Sequence, residues 1–190
     1  MSKALDKPTF RWLGYNRMKT FIILRGLPGA GKTTLIQYLE KQYTQQASVC
    51  SADHFWYGSN PHTPENYKFD ITKLSQAHGS CKSAVTKALN GRKPLIIIDN
   101  TNIRIREYKD YIKMAVDKDY ELLSHAITGM SAEDSMKLTL HGVPLDTCKK
   151  MLQAFMPIGT IEKEGRIIEV KEVIHNYLDI RKGVFGTGKF

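Results

Sequence analysis

Residues 26–34 read Gly26-Leu27-Pro28-Gly29-Ala30-Gly31-Lys32-Thr33-Thr34 and match G-x-x-x-x-G-K-[ST], the pattern of a phosphate-binding loop. A short apolar run that predicts a buried strand, residues 20–24, comes directly before the loop, and helical spacing of apolar residues begins at Leu35 after it. Glycines let backbone N–H groups surround phosphate oxygens, and the helix N-terminus adds a partial positive charge. A glycine-rich turn with a chance lysine is the alternative, and the flanking strand and helix disfavour it.

The loop predicts a nucleoside triphosphate site. In such a loop Lys32 reaches the β- and γ-phosphates, and the Thr33 hydroxyl binds Mg²⁺. The residues expected to contact the nucleotide are Gly26, Pro28, Gly29, Ala30, Gly31, Lys32, Thr33 and Thr34.

Length and composition indicate one ordinary globular domain with a basic surface. The 190 residues are 42% hydrophobic and 25% charged. The formal net charge of +9 favours a polyanionic partner besides the nucleotide, and a well-solvated basic surface is the alternative. No apolar stretch approaches the roughly 20 residues that cross a bilayer, and the N-terminus lacks a signal-peptide pattern. Because Cys50, Cys81 and Cys148 are widely spaced, we expect reduced thiols and a cytoplasmic protein, or one in a nucleic-acid-containing compartment of a host cell.

Strand and helix patterns alternate along the chain. Strands are predicted at 20–24, 47–52, 94–99 and 120–127, with a last one at 166–170; helices are predicted at 35–40, 71–89, 108–115, 132–140, 145–155 and 171–181. This alternation predicts an α/β three-layer sandwich with a parallel sheet, of the P-loop kinase type with a helical lid. We expect an N-terminal extension at 1–17, the kinase domain at 18–157 with its lid at about 131–156, and a C-terminal extension at 158–190 that packs on the domain or trails from it.

Two aspartates follow predicted strands. Asp99 ends the run Leu95-Ile96-Ile97-Ile98, where a carboxylate could hold a magnesium shell, and Asp53 follows the second strand. Ligands of parallel sheets bind outside the carboxyl ends of the strands, so Lys32, Asp53 and Asp99 should lie together. Asp53 could accept the proton of an acceptor hydroxyl during phosphoryl transfer. The alternatives are a helix N-cap for Asp53 and a simple strand-end turn for Asp99.

Several segments resemble the successive motifs of P-loop 5′-hydroxyl polynucleotide kinases. These are Leu24 to Thr34, Ser51-Ala52-Asp53-His54-Phe55, Ile97-Ile98-Asp99-Asn100-Thr101-Asn102, Ala77-His78, and His141-Gly142-Val143-Pro144. The resemblance covers about residues 20–155. It implies a kinase that uses ATP and Mg²⁺ and acts on 5′-OH ends of RNA or DNA, without a membrane or an obligate protein partner.

The resemblance also assigns roles to single residues. It implies that Lys32 and Thr33 bind the triphosphate and the metal, that Asp99 lies near the metal, and that Asp53 is the general base. Thr101 and Asn102 would line the acceptor pocket. The alternative for Asn100-Thr101-Asn102 is a hydrogen-bonded turn without a ligand.

The chain departs from this family in its lid and in the loop after Asp53. No arginine precedes His141, where the family usually has a lid arginine, so Lys137, Lys149 and Lys150 are the candidate substitutes. Aromatic residues follow Asp53, where bacteriophage enzymes have an arginine; they stack on an acceptor base or belong to the local core. The predicted function is therefore a polynucleotide 5′-kinase, with a small-molecule P-loop kinase or a catalytically weak, nucleotide-gated nucleic-acid-binding module as alternatives.

Overall fold

A computed structural model describes residues 19–139 and 142–185, and its centre is a parallel sheet. The strands in chain order are β1 (Thr20–Arg25), β2 (Ser48–Cys50), β3 (Leu95–Asp99), β4 (Glu121–Thr128), β5 (Ile161–Lys163), β6 (Arg166–Ile168) and β7 (Lys171–Asn176). Five of them form the central sheet in the order β2-β3-β1-β4-β7, and all four pairings are parallel. The carboxyl ends of these strands therefore meet at one edge.

Helices cover both faces of this sheet. In chain order they are α1 (Lys32–Tyr43), α2 (His54–Tyr57), α3 (Leu74–Asn90), α4 (Ile105–Val116), α5 (Ala132–Leu138), α6 (Leu145–Ala154) and α7 (Tyr177–Arg181). Short 3₁₀ turns lie at Pro64–Asn66 and Ile71–Lys73. The predicted α/β sandwich with a parallel sheet is confirmed.

The two faces of β1 pack into separate apolar clusters. Phe21 and Ile23 contact the cluster formed with α3 and α4, whereas Ile22 and Leu24 contact the cluster formed with α1 and α7. All six residues of β1 are buried, as expected of a central strand covered on both sides. The loop that follows β1 is thereby fixed to the most rigid part of the molecule.

The C-terminal segment differs from the sequence prediction. The predicted strand at 166–170 is one arm of a short antiparallel hairpin, β5–β6, and the predicted helix at 171–181 is strand β7 followed by helix α7. Because β7 pairs with β4 in the central sheet, the domain does not end at residue 157. The predicted extension at 1–17 lies outside the described residues.

The cysteines and the helices agree with the predictions made from composition. Cys50, Cys81 and Cys148 are all buried and free, as expected, and burial raises the pKa of Cys50 to about 12. Across residues 19–139 and 142–185, no helix has both the length and the apolar character needed to span a bilayer.

Candidate active site

The phosphate-binding loop connects β1 to α1 at the carboxyl edge of the sheet. Gly31 is the N-cap of α1 and has φ 92°, a left-handed conformation that favours glycine. The first turn of α1 therefore begins at Lys32, with backbone N–H groups at a helix N-terminus suited to phosphate oxygens. The Lys32 Nζ donates to the carbonyl oxygens of Gly26 at 3.3 Å and Leu27 at 3.2 Å. The lysine side chain therefore packs against the backbone of the phosphate-binding loop.

Lys32, Asp53 and Asp99 are close enough to interact electrostatically. Burial lowers the pKa of Lys32, while the carboxylates of Asp99 and then Asp53 oppose that shift. Burial also raises the pKa of Asp99, and the ammonium of Lys32 counteracts it. The structure thus brings together three residues that are far apart in the sequence, at the edge where ligands of parallel sheets bind.

Asp53 is positioned by its neighbours and does not cap a helix. It occupies the N-cap position of α2, yet its side chain makes no capping hydrogen bond. The Tyr67 hydroxyl donates to Asp53 Oδ1 at 2.9 Å, and the Asp53 backbone N–H donates to Ser51 Oγ at 3.2 Å. The N-cap interpretation of Asp53 is therefore not supported, and the partly buried carboxylate is oriented by Tyr67.

Thr33 and Asp99 have the chemistry that Mg²⁺ requires. The ion prefers hard oxygen ligands, and it usually completes its octahedron with water and substrate phosphates. Within the described part of the chain, no group of three or more His, Cys, Asp or Glu residues could hold a metal ion without such help. Thr33 is exposed at the start of α1, and Asp99 ends β3, the strand that pairs with β1, so these two residues fit a metal bound jointly with a triphosphate.

The segment after Asp99 holds the loops together. Asn100 Oδ1 accepts a hydrogen bond from the Ala52 N–H at 2.9 Å, which ties the end of β3 to the residue before Asp53. The Thr101 carbonyl accepts from the Gly26 N–H at 3.0 Å, at the start of the phosphate-binding loop. The alternative of a hydrogen-bonded turn therefore describes this segment well.

Asn102 requires a correction. It was expected to line the acceptor pocket, but it is only 1% exposed, and its Nδ2 donates to the Leu24 carbonyl at 2.7 Å. Its backbone has φ 47°, a left-handed conformation that asparagine tolerates better than most residues. Asn102 consequently supports β1 from below the loop, and a substrate cannot reach it in this conformation.

A buried ion pair behind the loop was not predicted. Arg25 is fully buried, and its Nη1 lies 2.6 Å from Glu172 Oε1 on β7. The guanidinium also donates to the carbonyl oxygens of Asn102 at 3.0 Å and Met156 at 2.5 Å. One feature of the sequence could have indicated a buried charge: an arginine stands directly before the first glycine of the loop, at the end of an apolar strand. Its partner could not be identified, because β7 was mistaken for a helix.

The first lid helix rests on the phosphate-binding loop. The Ser135 hydroxyl on α5 donates to the Pro28 carbonyl at 2.8 Å, and a Cβ added to Gly29 would lie 2.9 Å from the backbone carbon of Leu138. The helices predicted at 132–140 and 145–155 are present as α5 and α6, and their role as a lid stays a prediction. Of the lid motif, His141 lies outside the described residues.

The candidate lid lysines are on the surface of these helices. Lys137 and Lys150 are exposed, and Lys149 lies 3.8 Å from Glu133, which links α6 to α5. Their role at the γ-phosphate stays a prediction.

Comparison with known proteins places the chain in a family. The model of the AAA domain family AAA_33 matches residues 21–154, which is more than half of the chain. The chain belongs to this AAA domain family. Together with the parallel five-stranded sheet, the match shows a P-loop kinase-like domain, and the segment from Gly26 to Thr34 has the P-loop pattern.

Two curated proteins and one solved structure are similar to this AAA domain. NEDD4-binding protein 2 of Homo sapiens is 26% identical over 137 residues, or 70% of the chain. The 2′,3′-cyclic-nucleotide 3′-phosphodiesterase of Rattus norvegicus is 29% identical over 133 residues, or 64% of the chain. The matches span only 7% and 29% of those proteins' own lengths.

The structural match extends the likeness in fold. A chain of the Pnkp1/Rnl/Hen1 RNA repair complex has a TM-score of 0.56 and 18% identity; the match covers 73% of this chain and 44% of that one. At this level of identity the likeness shows the fold alone.

Proposed function

We propose that this protein transfers the γ-phosphoryl group of ATP to the 5′-hydroxyl end of an RNA or DNA strand. The observation that carries the proposal is the carboxylate of Asp53. It lies within electrostatic range of Lys32, and the Tyr67 hydroxyl that donates to it at 2.9 Å orients it. A carboxylate held in this way at a phosphate-binding loop suits a general base better than a structural cap.

In the proposed reaction, different residues bind the triphosphate and accept the proton of the acceptor. The loop N–H groups and Lys32 hold the triphosphate, and a bound Mg²⁺ would neutralise charge on its phosphate oxygens. Asp53 accepts the proton of the acceptor 5′-hydroxyl as that oxygen bonds to the γ-phosphorus. The bond from the γ-phosphorus to the bridging oxygen breaks, and ADP leaves with that electron pair. Most of the rate enhancement in such transfers comes from positioning and charge stabilisation.

Charge and relatives support a polynucleotide acceptor. The net charge of +9 favours a polyanion, and one structurally similar chain belongs to the Pnkp1/Rnl/Hen1 RNA repair complex. Two of the basic residues have an acidic partner that offsets part of their charge. Lys73 lies 3.2 Å from Asp70, and Arg104 lies 3.7 Å from Glu107.

A weak, nucleotide-gated nucleic-acid-binding module is the second candidate. The observation in its favour is that residues 136–140 contain Lys137 and no arginine, where the polynucleotide kinase family that the chain resembles usually has a lid arginine. An arginine at the γ-phosphate contributes about 10³-fold or more in related transfers, and a lysine lacks its bidentate fork. The small-molecule kinase is the third candidate, with an uncharged hydroxyl compound as acceptor.

One assay separates the three functions. ATP labelled at the γ-phosphate is incubated with Mg²⁺ and with 5′-OH RNA, 5′-OH DNA, 5′-phosphorylated strands, or a panel of nucleosides, sugars and other small hydroxyl compounds. We expect label only on 5′-OH strands. Label on a small compound alone would favour the metabolite kinase, and strand binding without transfer would favour the binding module.

The matched variants are Lys32→Ala and Lys41→Ala. Both lysines lie on α1, but only Lys32 contacts the phosphate-binding loop. Lys32→Ala should lose ATP binding in calorimetry while remaining folded, and Lys41→Ala should bind ATP as the parent protein does. If a folded Lys32→Ala protein binds ATP with unchanged affinity, the nucleotide site has been misplaced.

A further inference from the structure

An aromatic pocket lies at α2, the short helix that begins directly after Asp53. It is open to solvent, has a volume of about 250 Å³, and is lined among others by Phe55, Trp56, Tyr57, Asn66, Lys68 and Lys73. This volume is below the range of about 300–1,000 Å³ that accommodates drug-sized ligands, so the pocket suits a single ring system.

The walls of the pocket are held by packing among its own rings. Phe55 and Trp56 make an edge-to-face contact with centroids 5.0 Å apart, and Trp56 makes another with Phe69 at 5.1 Å. The Lys68 backbone N–H donates to the Trp56 carbonyl at 3.1 Å and so closes the loop onto α2. Trp56 is 5% exposed and anchors the helix in the core, whereas Tyr57 is only partly buried.

The pocket is adjacent to the proposed catalytic base. Asp53 and Tyr57 are four residues apart across α2, which corresponds to about 6 Å along a helix axis. Tyr67 joins them from the other side: its hydroxyl donates to Asp53 Oδ1 at 2.9 Å, and its ring lies 5.2 Å from that of Tyr57. Burial, and then the Asp53 carboxylate, raise the pKa of Tyr57, as expected of a short separation.

The chemistry of the walls fits a nucleobase followed by a phosphate. The Tyr57 ring stacks on His62 with centroids 4.4 Å apart, and a base beside Tyr57 would extend this stack. The Asn66 side chain can exchange hydrogen bonds with a base edge, and Lys68 and Lys73 supply positive charge. Asp70 lies 3.2 Å from Lys73 and offsets part of that charge. The phosphate contact therefore depends more on Lys68, which is exposed.

We propose that this pocket holds the base of the acceptor's 5′-terminal nucleoside, with Lys68 beside the phosphate that follows it. The proposal rests on the function proposed above, because it places the 5′-hydroxyl of that nucleoside at Asp53. It assigns acceptor recognition to the aromatic segment that stands where an arginine is found in the bacteriophage kinases.

The test compares two acceptors that differ only at the first nucleotide. One oligonucleotide begins with a normal 5′-OH nucleoside, and the other begins with an abasic 5′-OH sugar followed by the same phosphates. We expect kcat/KM to be about 5- to 100-fold higher for the first, the range that stacking on one base supplies. Tyr57→Leu should remove most of this preference, so that the ratio of kcat/KM for the two acceptors approaches one.

Two controls isolate the pocket. Tyr38→Leu replaces a tyrosine on α1 that stacks on Phe185 with centroids 4.0 Å apart, and it should keep the full preference. Lys68→Gln should weaken both acceptors equally, because it removes a phosphate contact and no base contact. Equal rates of the parent protein on both acceptors, or an undiminished preference in Tyr57→Leu, would overturn the pocket assignment while leaving the kinase function intact.

Measuring oligonucleotide binding tests the pocket even if the protein transfers no phosphoryl group. If no acceptor is phosphorylated, the kinase proposal fails, and anisotropy with the same two oligonucleotides then judges the pocket alone. A preference for the base-bearing strand that depends on Tyr57 supports the pocket, and equal binding of both strands refutes it.

Discussion

Substitution of Asp53 should lower the rate of phosphoryl transfer without lowering the affinity for ATP. In Asp53→Asn the amide oxygen can still accept the hydrogen bond from Tyr67, so the loop should keep its conformation. Because the amide cannot take up a proton, we expect turnover to fall by about 10²–10⁴ with ATP affinity nearly unchanged. Steady-state kinetics and calorimetry measure the two effects. Asp110→Asn, on the exposed side of α4, is the control, and wild-type turnover in Asp53→Asn would show that the carboxylate is structural.

A second residue-scale prediction concerns two buried histidines. His125 Nδ1 lies 2.9 Å from His175 Nε2, and one of these nitrogens must be unprotonated to accept the hydrogen bond. Burial, and then the neighbouring His175, lower the pKa of His125 to about 3, whereas an unfolded histidine titrates near 6.5. Between about pH 6.5 and pH 3 the unfolded chain therefore binds more protons, so the free energy of unfolding falls as the pH decreases.

Urea unfolding at several pH values tests this dependence. His125→Leu should flatten the decline between pH 6.5 and pH 4.5, although His175 remains buried and keeps part of it. His78→Ala is the control, because that histidine is exposed on α3. Identical slopes for His125→Leu and the parent protein would show that the acid sensitivity has another origin.

Single residues also show where reasoning from the sequence reached its limit. Lys32, Asp53 and Asp99 could be placed together because parallel strands end at a shared edge. Asn102 was misplaced, because whether a strand-end asparagine faces a ligand or a backbone carbonyl depends on its φ angle and on the neighbouring strand. The sequence pattern gives neither the φ angle of Asn102 nor the position of the neighbouring strand.

At the scale of elements, the lid and the phosphate-binding loop are linked through Gly29. This glycine has φ +75°, and an added Cβ would lie 2.9 Å from Leu138. Gly165 has the same φ of +75° but nothing within 4 Å, so both alanine variants incur backbone strain of roughly 1–2 kcal/mol and only Gly29→Ala adds a clash. We expect Gly29→Ala to lose a further 1–3 kcal/mol of unfolding free energy, about the usual cost of overpacking.

The two glycine variants also differ in their functional readout. Gly29→Ala should weaken ATP binding, because relief of the clash moves either the loop or α5, and Gly165→Ala should not. Equal unfolding free energies and equal ATP affinities for the two variants would mean that α5 does not rest on the loop in solution.

As far as α6, the helices and strands agree with the sequence prediction except for α2, which lies in a segment predicted as a loop; beyond α6 the prediction is wrong. Up to that point, each strand is an apolar run and each helix has an apolar stripe, so the periods are distinct. In β7 the buried side chains are Val173 and His175, while Glu172 turns to the opposite face to reach Arg25. A polar edge strand of this kind has no apolar run, and its partner β4 is far away in the sequence.

At the scale of the whole molecule, the basic charge predicts a salt-dependent affinity for strands. If a single strand is bound, log affinity should fall with log salt by about 0.7 per phosphate neutralised. The candidate phosphate contacts are the basic residues Lys68, Lys73, Arg104, Arg106, Arg181, Lys182 and Lys189, the last of which lies outside the described residues. Anisotropy titrations at several salt concentrations measure the slope, and a flat response would favour a small uncharged acceptor.

The ion pair between β1 and β7 is expected to matter for global stability. Glu172 accepts hydrogen bonds from Arg25, from Ser124 at 2.9 Å and from the Ile158 N–H at 3.0 Å. In Glu172→Gln the buried guanidinium loses its counter-charge, and we expect a loss of about 3–5 kcal/mol in the free energy of unfolding. Lys171→Gln, which breaks a more exposed pair between Lys171 on β7 and Glu121 on β4, should cost about 1 kcal/mol or less.

Equilibrium unfolding in urea compares the two variants. A Glu172→Gln protein as stable as Lys171→Gln would show that the backbone carbonyls of Asn102 and Met156 satisfy Arg25 by themselves.

The late position of β7 has a consequence for synthesis on the ribosome. A nascent chain that ends before residue 171 already contains β1 to β4, but the outer edge of β4 is unpaired and Arg25 has no carboxylate beside it. We expect such a chain to stay incompletely folded, and dependent on chaperones, until the final strand emerges. An expression fragment cut to the family match at 21–154 would preserve the phosphate-binding loop and omit the strand that neutralises the arginine behind it.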